Sequence, residues 1–369
     1  MTLASGPYKV MVVDDSAVIR GLLTRALEED PTITVVASAS NGEIALRSLA
    51  RQDVEVVVLD IEMPVMDGLT ALPLLLRAKP GIQVIMASTL TRKNADISMR
   101  AIGMGAADYI PKPTSRSELT GADSFRRELV TKVKALAQKK RGGRVATARV
   151  DRQHSPITSS FGVVKPKITL RAPSRFPPQV LAIGSSTGGP QALFKVLGEL
   201  KDSLRVPIFI TQHMPATFTT LLAEHLTRIS GVPCAEAKDG EPVQPGRIYV
   251  APGDYHMIVE DSDGKKVTRL RQTPPESFCR PAVDPMLRSL AKAYGSRLLT
   301  VILTGMGSDG LKGSQDVVAA GGTVIAQDEA TSVVWGMPGA VAGNGVCSSV
   351  LPLEEIAPQI SKMFMRSAA

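Results

Sequence analysis

Short apolar runs and amphipathic stretches alternate along most of this chain. In the first 140 residues, runs rich in β-branched side chains recur at 10–13, 33–37, 54–59, 82–87 and 107–110. Between them lie segments such as 17–27 and 69–76, with apolar positions at i, i+3 and i+4. That spacing winds one apolar stripe onto a helix face. Five strand–helix repeats of this kind predict a doubly wound, five-stranded parallel sheet of the α/β class. After residue 176 the alternation resumes. Strand-like runs at 180–183, 206–211, 247–251, 298–304 and 323–327 are interleaved with helical patterns at 191–200, 218–229, 286–294 and 311–320. The interval 234–273 is richer in strand pattern and is expected to add an antiparallel excursion to a second α/β parallel sheet.

The stretch between the halves has neither period. From Lys139 to Arg175 it carries ten basic residues against Asp151 alone, a net +9, so the rest of a chain of net charge +8 sums to −1. Gly142-Gly143, Pro156, Pro166 and Pro173 fall in it, and Pro177-Pro178 close it. This is the composition of a tether. Three parts are expected: a folded unit at 1–140, a basic flexible linker at 141–176, and a second folded unit at 177–369. The charge then belongs to the tether and not to a folded face, which argues against a nucleic-acid reader. No apolar run reaches the roughly 18 residues that span a bilayer. The opening Met1-Thr2-Leu3-Ala4-Ser5-Gly6 lacks the charged-then-apolar order of a secretory signal. Cys234, Cys279 and Cys347 are scattered without metal-ligand spacing, and read as reduced thiols of a cytoplasmic protein.

In a doubly wound sheet, sites form at the carboxyl ends of the strands. The polar residues fall there. Asp14 and Asp15 follow the first run, Asp60 ends the third, Ser88 the fourth, and Lys112 follows the fifth. Three carboxylates at one sheet edge repel unless a proton or a hard divalent cation neutralises them, and oxygen ligands of this type suit Mg²⁺. Asp14 or Asp15 could instead cap the first helix, but a cap leaves Asp60 and Lys112 unexplained. On these residues the segment from Tyr8 to about Lys140 resembles a response-regulator receiver domain. The resemblance implies that Asp60 is the phospho-acceptor. It also implies that Asp14, Asp15 and Asp60 hold Mg²⁺ together with the backbone carbonyl of Glu62. Ser88, where the family often has threonine, and Lys112 would contact the phosphoryl group, and Tyr109 would be the aromatic switch.

The second half holds Gly184-Ser185-Ser186-Thr187-Gly188, a G-x-S-x-G turn from strand to helix. Small neighbours permit the sharp turn that projects the central Ser186 hydroxyl, and N–H groups at the helix start can face an oxyanion. Such a hydroxyl needs a base, and the base an orienting acid. The next strand runs into His213, and the strand at 298–304 runs into Gly305-Met306-Gly307-Ser308-Asp309-Gly310. Ser186, His213 and Asp309 thus follow as nucleophile, base and acid at three strand ends. Ser185 competes for the first role, His256 for the second and Asp284 for the third, whereas His225 sits mid-helix and His154 in the tether. The loop at 305–310 also spells G-x-G-x-x-G, with Asp328-Glu329 about 20 residues on. A dinucleotide site is not expected, because Asp309 would face the pyrophosphate and too little chain follows to complete a mononucleotide half.

With Gln212-His213-Met214-Pro215-Ala216-Thr217-Phe218, Ala251-Pro252-Gly253-Asp254 and Arg280-Pro281-Ala282-Val283-Asp284, this half resembles the chemotaxis protein-glutamate methylesterases. The resemblance implies Ser186, His213 and Asp309 as the triad and Met306 as a backbone oxyanion donor. It implies hydrolysis of glutamate γ-methyl esters on methyl-accepting chemoreceptors and deamidation of particular receptor glutamines, both through an acyl-enzyme. Many relatives carry histidine where Cys279 stands. A chemotaxis histidine kinase is the expected phosphodonor. No cofactor for hydrolysis, no nucleic acid and no membrane insertion are expected, and the chain should be a monomer. The alternative is a receiver whose output is binding alone, with Ser186 a turn residue.

Overall fold

The computed structural model describes residues 6–89, 91–112, 123–145, 168–200 and 205–365. Its first half is a parallel sheet of β1 (Tyr8–Val13), β2 (Ile33–Ala39), β3 (Val56–Asp60), β4 (Gln83–Ser88) and β5 (Asp108–Pro111), in the order β2-β1-β3-β4-β5. Val10, Val12, Val56, Val57 and Val58 are fully buried. Strands covered by helices on both faces read as continuous apolar runs, which is the sequence pattern here. The covering helices are α1 (Ala17–Glu28), α2 (Gly42–Leu49), α3 (Gly68–Ala78), α4 (Arg92–Gly103) and α5 (Asp123–Val145). Ser16, rather than Asp14 or Asp15, caps α1, its hydroxyl accepting the Ile19 N–H at 3.4 Å.

Helix α5 runs past Lys140, so Gly142-Gly143 is helical instead of tether. Arg141 supplies the reason. Its guanidinium donates to the Glu55 carboxylate at 2.6 and 2.8 Å and lies over the Tyr8 ring, 4.2 Å from the centroid. At the other end, the Arg171 N–H donates to Cys347 O at 2.9 Å and the Ser174 N–H to Thr323 Oγ1 at 2.8 Å, fastening that segment to the second half. The expected linker between 146 and 167, with His154, lies outside the described residues.

The second half contains β6 (Val180–Ser185), α6 (Gly189–Leu200), β7 (Ile208–Gln212), α7 (Ala216–Ser230), β8 (Cys234–Glu236), β9 (Ile248–Val250), β10 (His256–Ser262), β11 (Lys265–Arg271) and α8 (Val283–Tyr294). It continues with β12 (Leu298–Ile302), α9 (Leu311–Ala319), β13 (Thr323–Gln327), α10 (Met337–Gly343), β14 (Ser349–Leu351) and α11 (Leu353–Met365). Seven strands form a sheet in the order β14-β13-β12-β6-β7-β9-β8. The antiparallel excursion is narrower than its sequence suggests. Among the described strands only β10 and β11 pair antiparallel, while β8 and β9 join the main sheet in parallel.

The halves touch along α4 and β5 on one side and α6 and α7 on the other. Ala95, Met99 and Ile102 share one buried cluster with Phe218, Leu221 and Leu222. The Tyr109 ring stacks on Phe218 with centroids 4.1 Å apart and planes 12° from parallel. Polar contacts rim this core. Arg92 pairs with Glu224 at 3.0 Å, and the Gln191 amide donates to the Ala106 and Ile102 carbonyls. Among the described residues no helix is long and apolar enough to cross a membrane.

Candidate active site and phospho-acceptor pocket

In the second sheet β6 lies between β7 and β12, so the chain leaves it on one side and returns on the other. A crevice opens at the carboxyl ends where strand order reverses in this way. Ser186 emerges there. Its N–H donates to Thr304 O at 3.1 Å, and its carbonyl accepts the Gly189 N–H at 2.7 Å and Gln212 Nε2 at 2.9 Å. The turn tolerates no side chain at Gly189 or Gly305. A Cβ on Gly189 would stand 2.0 Å from Gln212 Oε1, and one on Gly305 would stand 2.9 Å from Ser186 Cβ. Ser186 is half-buried, and its hydroxyl has no hydrogen-bond partner among the described residues. Ser185 points the other way: it is buried and donates to Gln212 Oε1 at 2.7 Å.

His213 follows β7 and presents Nε2 to Asp309 Oδ2 at 2.7 Å. A carboxylate only accepts, so Nε2 carries the proton and Nδ1 is the nitrogen left for chemistry. Asp309 is buried at the start of α8, where Oδ2 also accepts the Val283 N–H at 2.6 Å and Oδ1 the Asp284 N–H at 3.0 Å. A helix N-terminus favours such an anion. Burial alone would raise the Asp309 carboxyl, but the His213 contact and these N–H groups hold it below its ordinary value. Burial would likewise lower His213, yet Asp309 and the Cys279 sulfur outweigh it and push the imidazole up to about 10.

The competing residues are otherwise engaged. Asp284 Oδ1 accepts the Gly310 and Gly313 N–H groups at 3.0 and 2.7 Å, bracing the loop that carries Asp309. Burial and the neighbouring Asp309 charge push the Asp284 carboxyl up to about 6. His256 uses both ring nitrogens on backbone, at Ala282 N and Pro274 O, each 3.2 Å away. His225 lies 3.4 Å from Asp96, between the halves. The Met306 N–H has no acceptor among the described residues and follows Gly305, which lies against Ser186.

In the first half, carboxylate oxygens of Asp14, Asp15 and Asp60 lie within 4.8 Å of one another. Lys112 Nζ stands 2.6 Å from both Asp14 Oδ2 and Asp60 Oδ1. Burial and the Asp14 charge raise the Asp60 carboxyl against the opposing pull of Lys112. Clustered hard oxygen donors of this kind fit a divalent cation such as Mg²⁺. Ser88 is buried beside the pocket, 3.1 Å from Ser98 Oγ. The Glu62 side chain is exposed and pairs with Lys93 at 2.8 Å.

Several partners were not legible from sequence: Gln212 behind both serines, Ser98 beside Ser88, and Lys132. Buried Lys132 donates to Tyr109 O at 2.7 Å and pairs with Asp108 at 3.2 Å. Each lies far along the chain from the residue it supports, or in a helix interior where spacing marks only the apolar face.

Family models described as CheB methylesterase and response regulator receiver domain match residues 181–360 and 10–122. A protein-glutamate methylesterase/protein-glutamine glutaminase 1 of Paramagnetospirillum magneticum is 60% identical over 98% of each chain. A protein of that description from Azospirillum brasilense is 61% identical over 98% of this chain and 94% of its own. The crystal structure of the Thermotoga maritima CheB methylesterase catalytic domain is 42% identical, covering 51% of this chain and 100% of that chain, with a TM-score of 0.49.

Proposed function

The chain belongs to the protein-glutamate methylesterase/protein-glutamine glutaminase family, and from that premise we propose that Ser186, His213 and Asp309 are its catalytic triad. It is a phosphorylation-activated chemotaxis hydrolase that demethylates glutamate γ-methyl esters on methyl-accepting chemoreceptors and deamidates specific receptor glutamines. The observation that carries the triad is the 2.7 Å contact between His213 Nε2 and Asp309 Oδ2. It fixes the tautomer, so Nδ1 takes the Ser186 proton as the oxygen attacks the acyl carbon. The oxyanion is met by the Met306 N–H. The imidazolium then protonates the departing methanol or ammonia, and water releases the acyl group by the reverse proton path.

In the receiver, residues 1–140, Asp60 accepts the phosphoryl group from a chemotaxis histidine kinase. Lys112 and Ser88 contact its oxygens, and Tyr109 senses the change. Asp14, Asp15, Asp60 and the Glu62 carbonyl would hold Mg²⁺, which offsets charge on the phosphoryl group. Of residues 141–176, those to Val145 extend α5 and Arg171 and Ser174 are fastened to the catalytic unit of 177–369, which leaves 146–167 to serve as the tether, in a monomeric cytoplasmic protein. The stack of Tyr109 on Phe218 supports inhibition by direct contact when Asp60 is unphosphorylated.

Methanol release from methylated receptor membranes, with and without a small phosphodonor, tests the reading. Ser186→Ala should lower turnover by about 10⁴-fold or more while leaving receiver phosphorylation intact. Retention of a tenth of the wild-type rate would remove Ser186 from the mechanism.

A further inference from the structure

The nitrogen that Ser186 needs is already engaged. Cys279 Sγ lies 3.4 Å from His213 Nδ1, whereas the Ser186 hydroxyl has no partner among the described residues. Cys279, His213 and Asp309 therefore form a continuous relay in the resting chain. The Asp309 and Cys279 contacts both favour the imidazolium, so Nδ1 carries its proton toward the sulfur and has no lone pair free to take one from Ser186. We propose that Cys279 is a positioning residue that holds the base away from Ser186 at rest and must release Nδ1 before the acyl step. This rests on the assignment of His213 as the base.

The sulfur is held firmly in place. Glu276 and Cys279 exchange backbone hydrogen bonds of 3.2 and 2.9 Å across a two-residue turn. Within that turn Ser277 and Phe278 adopt φ of 52° and 62°. Left-handed backbone at two side-chain-bearing residues is costly, and it persists only where surrounding contacts enforce it. Those contacts flank the turn: Glu276 pairs with Arg288 at 2.7 Å, and Arg280 with Asp254 at 2.6 Å.

The test uses the full chain with Cys279→Ala, read by turnover on methylated receptor membranes and by imidazole NMR of His213. A released hydrogen bond corresponds to a factor of about 2 to 10. Turnover at neutral pH should rise by that factor with KM unchanged, because sulfur competes with Ser186 and not with substrate. The His213 titration midpoint should fall, since the sulfur favours the imidazolium. A midpoint that stays or rises, or turnover that does not increase, overturns the proposal. Failure of the triad itself reads differently, as residual turnover in Ser186→Ala.

Discussion

Replacing Tyr109 with leucine should release the hydrolase without touching it. Tyr109 lies on β5 of the receiver, and its ring is buried against Phe218 of α7, with centroids 4.1 Å apart. A stacked aromatic pair contributes about 0.5–1.5 kcal/mol beyond its buried area. Leucine keeps apolar volume in the receiver core but loses the stack. If the closed arrangement dominates in the unphosphorylated chain, its destabilisation by that amount multiplies the open fraction by about 2 to 12. Basal methanol release should increase by the same factor. Stimulation by a phosphodonor should shrink in proportion, because the fully phosphorylated rate is already that of the open enzyme. Arg92→Ala provides a scale. Arg92 and Glu224 pair at 3.0 Å with side chains 76% and 48% exposed, and such surface pairs contribute at most about 1 kcal/mol. Its effect should stay below about fivefold. A Tyr109→Leu protein that still takes up phosphate on Asp60, yet shows wild-type basal activity, would refute inhibition through this contact.

The acid and the acceptor can be tested with conservative amides. Asp309→Asn should cut turnover by about 10⁴-fold by favouring the wrong imidazole tautomer, whereas Asp284→Asn should stay active because its amide oxygen can still accept the Gly310 and Gly313 N–H groups. Because His213 is pushed up to about 10, its base form grows as pH rises, so the acid limb of kcat/KM should lie above 6.5 in wild type and move down in Asp309→Asn. The Asp284 carboxyl is raised from 3.8 to about 6, so its buried charge costs stability progressively as pH rises through that window; Asp284→Asn should raise Tm at pH 8 more than at pH 4. Asp60→Asn should show low basal activity that no phosphodonor raises, with radiolabelled phosphate incorporation as the check.

The architecture was legible because strands buried on both faces leave unbroken apolar runs, as at 54–59 and 298–304, and because the candidate site residues fall at strand ends. Boundaries were less legible where a single contact decides them. The run at 206–211 begins with Val206 and Pro207, but the strand starts at Ile208, since proline has no N–H to give to the ladder. Gly142-Gly143 reads as tether, yet Arg141 anchors α5 to Glu55 and carries the helix through both glycines. At the candidate active site the G-x-S-x-G turn announces itself within five residues. The choice between Asp309 and Asp284 does not, because both precede or enter helices and the two carboxylates share neighbouring backbone donors. Cys279 was visible only as a departure from the family pattern, and nothing in its local sequence brings it to His213, 66 positions away.

The placement of Tyr109 bears on how the two sites communicate. On the receiver side, Lys112 bridges Asp14 and Asp60 at 2.6 Å to each, so a phosphoryl group on Asp60, the proposed acceptor, would have to share or displace that lysine. Lys112 follows directly on β5, the strand that carries Tyr109 to the domain interface. On the hydrolase side, Phe218 lies in the first turn of α7, and α7 begins shortly after His213. The turn is braced: Thr219 Oγ1 accepts the Gly253 N–H at 3.0 Å and meets Glu236 at 2.6 Å. A rigid turn cannot absorb movement of the ring stacked on it, so an altered Tyr109 either leaves Phe218 or shifts the segment that holds His213. Both outcomes begin within three residues of the lysine that contacts Asp60. Regulation on this geometry needs no strain carried through the tether, only the making and breaking of a contact on one strand and one helical turn.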